Sequence, residues 1–295
     1  MNDESTRFTA TRLEQLAAIS VSGADARSFL QGQLSFDLER LTVDYVELAS
    51  VSSAQGRVQA VVWLVLRSDA SILLLVPRNI VDTLVARLRK FILRAKVKIE
   101  PGTSLSVGLL STGALPSPPR GHVESGSISV IHWPAPTGGA ARGLIIAPIT
   151  HPMPDDPVRE AQWHLESIQA GLPQVFPATN EVFVAQLLNL DLLQGISFDK
   201  GCYTGQEIIA RMHFRGQVKR RMFRFAFAGS PPAPSTRVVS NGDHAGDVVD
   251  SAAVASGGSE LLAVISLSQR DAVLQIDGAA GGQALKPLPL PYEVT

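Results

Sequence analysis

The chain has 295 residues, enough for two domains or for one large domain with an appendage. Its 45% hydrophobic and 18% charged residues give an ordinary globular balance, and a net charge of −1 excludes a globally basic nucleic-acid binder while leaving room for a local basic face. One cysteine excludes an intramolecular disulfide and fits a reducing compartment. The polar N-terminus has no signal-peptide core and no run is long enough to span a bilayer, so the expected setting is cytoplasmic.

In chain order, residues 15–22 form a short apolar segment that predicts a strand. Ser22 or Asp25 starts a short helix through Phe29 and Leu30, with Gly32 placed to end it. Gln55-Gly56 turns the chain into the apolar run Val58–Leu66, which includes Trp63. A polar break at 67–70 separates it from a second apolar run, 71–76. Both have strand length and are read as neighbouring buried strands. Residues 79–94 carry Val81, Leu84, Val85, Leu88, Phe91 and Ile92 at three-and-four spacing, which predicts an amphipathic helix. Its other face holds Arg87, Arg89, Lys90 and Arg94, and no acid occurs from position 83 to 99. That face is either a solvated surface or a groove for a polyanionic ligand.

Residues 111–143 are rich in Pro, Gly, Ser and Ala and read as a surface loop with one strand-like island, 128–133. Asp156-Pro157 is an N-cap followed by proline at the first helical position. Val158, Ala161, Leu165 and Ile168 form the stripe of that helix, and Gly171 with Pro173 ends it. A second apolar helix is expected around 184–193. From 208 to 242 there is no acid at all, while Arg211, Arg215, Lys219, Arg220, Arg221 and Arg224 cluster at the front. Residues 220–228 alternate aromatic and basic side chains as a half-exposed strand does. Short apolar runs near 261–267 and 272–276 extend an all-β region from about residue 216. The expected class is therefore α+β, divided into 1–215 and 216–295.

The stretch with chemical content is Lys200-Gly201-Cys202-Tyr203-Thr204-Gly205-Gln206-Glu207. It holds the single cysteine between a glycine and a tyrosine, after a turn-like approach (195–199) and before a helical exit (207–212). Gly205 followed by Glu207 suits a helix N-terminus, where backbone N–H groups lack partners. A thiol near such an end has a raised thiolate fraction, and Lys200 and Arg211 are sources of positive potential. Free cysteines are commonly small buried hydrophobes, but a polar, glycine-flanked setting favours a reactive thiol. A Cys202–His213 nucleophilic pair stays open, because such partners meet in space rather than in sequence.

This octapeptide is similar to the signature of the YgfZ family of folate-binding proteins. That family includes mitochondrial factors of late iron–sulfur cluster assembly and is related in fold to the aminomethyltransferase (T-protein) of glycine cleavage. Collinear segments extend the resemblance over roughly residues 15–225. They are Phe29-Leu30-Gln31-Gly32-Gln33-Leu34, Gln55-Gly56-Arg57-Val58, Leu93-Arg94-Ala95-Lys96-Val97, Ala170-Gly171-Leu172-Pro173, Asn189-Leu190-Asp191 and 215–221. The resemblance implies an aminomethyltransferase-like α+β region with a small C-terminal β-barrel, and a cleft that binds tetrahydrofolate or a derivative. It implies Cys202 as the reacting group. Lys200, Gly201, Tyr203, Gly205, Gln206, Glu207, Arg211, Gln169 and Trp63 are the residues expected around the folate, with Tyr203 or Trp63 stacked on its rings. Basic residues at 87–98 or 211–221 would receive its glutamate tail. The expected partners are folate and, transiently, iron–sulfur client proteins, with nucleic acid reached only through those clients. No membrane is expected, and the chain is expected to be a monomer.

The sequence departs from the aminomethyltransferase where that chemistry lives. Adjacent aspartates that serve aminomethyl transfer are matched by Gln59 and Ala60, neither able to act as a general base. The glutamate that binds the pterin is matched by Gln169, which keeps a donor and an acceptor but no charge. Phosphate-binding glycine loops and histidine pairs at ligand spacing are missing, and one thiolate cannot hold an iron–sulfur cluster. Three functions follow: a tetrahydrofolate-binding accessory protein for maturation or repair of iron–sulfur enzymes, including tRNA-modifying ones; a folate-dependent one-carbon transferase or demethylase; or an RNA-binding module.

Overall fold

The computed structural model describes residues 8–279 and 282–294. Three antiparallel sheets share one central core. The strands are β1 (Thr9–Arg12), β2 (Leu16–Ser22), β3 (Glu47–Ser52), β4 (Val58–Leu66), β5 (Ile72–Pro77), β6 (Lys98–Glu100), β7 (Leu105–Thr112) and β8 (His122–Ser125). They continue with β9 (Ile128–Trp133), β10 (Arg142–Pro148), β11 (Arg220–Phe227), β12 (Arg237–Ser240), β13 (Asp243–Ala253), β14 (Ser259–Ser266), β15 (Gln275–Ile276) and β16 (Lys286–Leu288). The helices are α1 (Ala26–Gln31), α2 (Val81–Arg89), α3 (Pro157–Gln169) and α4 (Gln206–Arg215). The sheets run β3-β4-β5-β2-β6, β1-β7-β10-β9-β8 and β15-β12-β13-β14-β11-β16.

Successive strand residues point to opposite faces, so each run in the first sheet supplies two cores. In β4, Val61, Trp63 and Val65 enter the central core, while Val62, Leu64 and Leu66 pack against α1 and α2. The central core gathers Ile131, Trp133, Leu144 and Ile146 from the second sheet, Trp163 and Ile168 from α3, and Val249, Leu262 and Val264 from the third sheet. The third sheet curls, and its other face closes on Phe225, Val238, Leu261 and Ile276. Its register shifts between Val248 and Asp250, the kind of bulge that bends and twists a strand.

Several elements differ from the sequence expectation. The 79–94 helix stops at Arg89. After it, Phe91 N–H bonds to Leu88 and Ile92 N–H to Arg89, tightening the chain into short turns that deliver β6 to β2. The helix expected at 184–193 is only a 3-10 turn, Ala185–Leu188, ended by Asn189 in the left-handed region at φ 57°. Residues 111–143 hold β8, all of β9 and the start of β10 rather than a single island. The expected cap at α3 is present: the Asp156 carboxylate accepts from Val158 and Arg159 N–H, with Pro157 at the first position.

The segments shared with the family resemblance are largely joints. Asn189 Nδ2 donates to Met222 O at 2.8 Å, and Arg221 Nη1 lies 2.6 Å from Asp191 Oδ1 while also donating to Gln186 O. These bonds fasten β11, and with it the third sheet, to the turn before the cysteine motif. Tyr292 folds back and donates its hydroxyl to Gly171 O at 2.8 Å. No helix among the described residues is long and apolar enough to cross a membrane.

Candidate functional site

The cysteine motif is built as a short outward loop between two anchors. The first is Lys200, whose ammonium donates to three backbone carbonyls, those of Gln31, Leu34 and Phe36, each at 2.8 Å. These carbonyls belong to the last residue of α1 and the turn beyond it, so Lys200 caps the C-terminal end of that helix. Burial pulls the ammonium down from the ordinary lysine value to about 8, and nearby Asp37 opposes the shift. Sequence reasoning made Lys200 a folate contact and a source of positive potential for the thiol. Its side chain instead turns inward, with all three N–H donors engaged.

The second anchor is 203–206. The Tyr203 side chain is buried in the central core, which raises its phenol above the usual range, and Thr204 N–H donates to Gly32 O. Gly205 adopts φ 85°, and a Cβ there would stand 2.6 Å from Ser53 O and 3.0 Å from Ser52 Cβ. This close approach packs the motif on the β3–β4 turn. Gly56 in that turn is as tightly fitted, because a Cβ would meet Ile208 Cβ of α4 at 2.8 Å. Gln206 closes the loop, with its Nε2 donating to Lys200 O at 3.4 Å and its N–H to Tyr203 O. Glu207 is exposed in the first turn of α4, as expected for the helix start, and Arg211 is exposed one turn later.

Between the anchors, Gly201 and Cys202 are both exposed. A Cβ on Gly201 would meet nothing within 4 Å, so the fold leaves free space beside the thiol. No hydrogen bond among the described residues links Cys202 to His213. The imidazole instead stacks on Phe198, with centroids 3.7 Å apart and planes 13° off parallel.

Behind the loop stands a polar cluster that sequence reasoning only grazed. Arg87 of α2 donates Nε to Gln59 Oε1 at 2.9 Å, Nη1 to Gln33 Oε1 at 2.7 Å and Nη2 to Ser52 O at 3.2 Å. Gln33 follows Gly32, and Ser52 touches Gly205, so the guanidinium braces both segments that carry the motif. It is half-buried, and desolvation lowers its pKa. Its three partners are neutral, and no carboxylate among the described residues pairs with it. Two of the five N–H donors of an arginine therefore stay uncommitted. A small cavity of about 50 Å³ lies alongside, lined by Gln59, Thr83, Arg87 and Asn180. Gln59 owes its position to a register shift: Ser52 pairs with Val58 and Val51 with Ala60, leaving Gln59 as the extra residue of a bulge. It also donates to Glu181 Oε1 at 2.7 Å. Only the acid-free pattern 83–99 hinted at Arg87; Gln33 appeared only within a segment of the family resemblance, and nothing in the sequence named Ser52.

Trp63 and Gln169, also expected at the folate, stand apart from the octapeptide. Trp63 is buried against Trp133, with centroids at 4.6 Å, and Trp133 lies 6.4 Å from Trp163. Gln169 ends α3 and donates to Glu260 Oε1 at 3.1 Å. No hydrogen bond or ring contact joins either residue to the octapeptide. The three tryptophans meet at the junction of the sheets, where Trp133 Nε1, Trp163 Nε1 and Arg142 Nη2 are buried donors without an acceptor among the described residues.

Comparison with known proteins sets this geometry in context. A tRNA-modifying protein YgfZ of Edwardsiella ictaluri is 32% identical over 96% of this chain and 92% of its own length. The chain belongs to the YgfZ family. Proteins of the same name from Serratia proteamaculans and Yersinia pestis (strain Pestoides F) are 30% and 29% identical, with the same coverage. No family model matches the chain. Among solved structures, the glycine cleavage system aminomethyltransferase T of Bartonella henselae superposes with a TM-score of 0.71 over 97% of this chain and 86% of that one, at 14% identity. This YgfZ-family chain therefore has the aminomethyltransferase T fold, mixed α and β and mostly strands, with a curled C-terminal sheet.

Proposed function

We propose that the chain is a tetrahydrofolate-binding accessory protein of tRNA modification, acting on iron–sulfur enzymes through the thiol of Cys202. The relatives' name, tRNA-modifying protein, supports the setting, and the aminomethyltransferase T fold supports the folate. The observation that carries the reading is the division of labour within the octapeptide. Lys200, Tyr203 and Gly205 are committed to folding, while Gly201 and Cys202 face outward with open space beside them. A motif held so firmly, with only its thiol presented, suits a group that meets a partner rather than one that fills a core.

The residues fit the charged tail of a folate. The uncommitted N–H groups of Arg87, with no acid of their own, suit a carboxylate of the glutamate tail. The unsatisfied donors of Trp133, Trp163 and Arg142 lie at the central core, on the opposite face of the first sheet from α2, and are not assigned to the same ligand. When bound, the folate would supply one-carbon chemistry. Aminomethyl transfer itself is disfavoured: Ala60 is fully buried, and Gln59 is held by Arg87 and Glu181, so neither position offers a base.

The test is an oxygen-free titration with tetrahydrofolate, followed by tryptophan emission, on wild type, Cys202→Ala and Arg87→Met. Saturable binding kept in Cys202→Ala and weakened in Arg87→Met is expected. Absence of binding in every form would sink the folate reading.

A further inference from the structure

The basic segment after the motif separates, in three dimensions, into cations with structural duties and cations with none. Arg221 is paired with Asp191, and Arg224 with Glu260 at 2.8 Å. Arg211, Arg215, Lys219 and Arg220 have neither an acidic nor a hydrogen-bonding side-chain partner among the described residues. Arg215 lies in the last turn of α4, where a cation complements the helix dipole. That account does not reach Arg211, Lys219 or Arg220.

An aromatic cluster sits among them. Phe214 is 68% exposed, the most exposed aromatic among the described residues. It meets His213 edge-on, with centroids at 4.7 Å and planes at 80°, and His213 lies flat on Phe198 at 3.7 Å. Phe198 packs against the central core, so the stack is fixed from below while His213 and Phe214 face solvent. Arg211, Phe214 and Arg215 fall at three-and-four spacing on one side of α4. Phe223 and Phe225, interleaved with arginines in sequence, are not part of this surface: Phe225 is buried and Phe223 lies under Arg270.

We infer that this face of α4, with the strand entry at Lys219 and Arg220, is a docking surface for an unpaired stretch of RNA. Cations not ion-paired with acids complement phosphates, although Glu207 stands one turn before Arg211, and a rigid, solvent-facing aromatic platform takes bases by stacking. The charge argument favours a polyanion, and the rings favour one that offers a flat π face beside every charge, as RNA does. The inference deepens the proposed tRNA role by giving the chain its own RNA contact, and it does not depend on folate.

The experiment is fluorescence anisotropy with a labelled oligouridylate of about 15 nucleotides and with an unmodified tRNA transcript, each over a series of salt concentrations. Four proteins are compared: wild type, Phe214→Ala, Arg211→Gln/Arg215→Gln and the control Arg237→Gln/Lys286→Gln on β12 and β16. All the changed residues are exposed, and equal melting temperatures confirm folding. Phe214→Ala should weaken binding about tenfold with the salt slope unchanged. The α4 double variant should weaken binding and reduce the slope of log K against log salt by about 1.4, while the control matches wild type. Absence of saturable RNA binding, or equal binding by all four proteins, overturns the surface. The same follows if the α4 variants lose an iron–sulfur client yet bind RNA like wild type. If RNA binding is lost in the variants while cellular tRNA modification stays normal, the surface stands and the wider tRNA role falls.

Discussion

Gly205 and Ser53 approach so closely that a β-carbon on the glycine would lie 2.6 Å from the serine carbonyl oxygen. With φ at 85°, Gly205→Ala combines a left-handed backbone with a backbone clash, and should destabilise the protein by about 2–3 kcal/mol. Thermal unfolding measures the loss. The turn 53–57 should also exchange its amides faster, since Gly205 is what it packs on. An unchanged melting temperature would mean that the motif is not seated on the turn.

Lys200 serves three carbonyls at once, so its replacement takes the ammonium from two buried acceptors and a third, part-buried one. Lys200→Met keeps most of the side-chain bulk and removes only the donors. The expected cost is about 3 kcal/mol, read from chemical denaturation at neutral pH. A near-neutral result would show that the ammonium can leave its nest without penalty.

Cys202 should behave as a free surface thiol. Native protein should react with one equivalent of a disulfide reagent, an unambiguous reading because the chain has a single cysteine. Cys202→Ala should leave stability within about 0.5 kcal/mol of wild type, as expected for an exposed site without packing or hydrogen bonds. Protection of the thiol in the native state would contradict its outward placement.

His164 ties α3 to β13 through Asp250, with Nε2 2.9 and 3.0 Å from the carboxylate oxygens. Burial alone would lower the imidazole pKa, but the Asp250 charge and hydrogen bond, helped by Glu160, raise it above 6.5. The folded state therefore holds the proton more tightly than the unfolded chain. The pair's contribution is complete below about pH 6.5 and is lost as the pH rises through the raised folded value. The stability difference between wild type and Asp250→Asn, measured by thermal melts from pH 5.5 to 8.5, should shrink as the pH increases. A difference that grows with pH would reverse the assignment.

Local features of the fold were legible from the sequence; its long-range joints were not. The caps of α3, the strands flanking 67–70 and the turn-to-helix character of 205–215 all rest on neighbouring residues, and sequence carries that information. The overshoot of the 79–94 helix and the missing helix at 184–193 have one cause: tertiary needs, pairing β6 with β2 and placing Asn189 against Met222, override helical periodicity. At the site, the glycine spacing predicted a tight loop. The role of Lys200 depends on carbonyls more than 160 positions away, which no local pattern encodes. Gln59 and Arg87 were flagged for different reasons, and only the structure shows them holding each other.

The bulge in β4 gives one position an importance out of proportion to its side chain. Because Gln59 is an insertion in the pairing, Val58 and Val61 point to the same core although they are three apart. Deleting residue 59 would restore regular alternation and invert the strand's first residues relative to the rest. Val58 would leave the central core, and the hairpin tip would rotate away from α4. Substitutions at 59 change two hydrogen bonds, those with Arg87 and Glu181; loss of the residue would change the frame in which the thiol loop is seated.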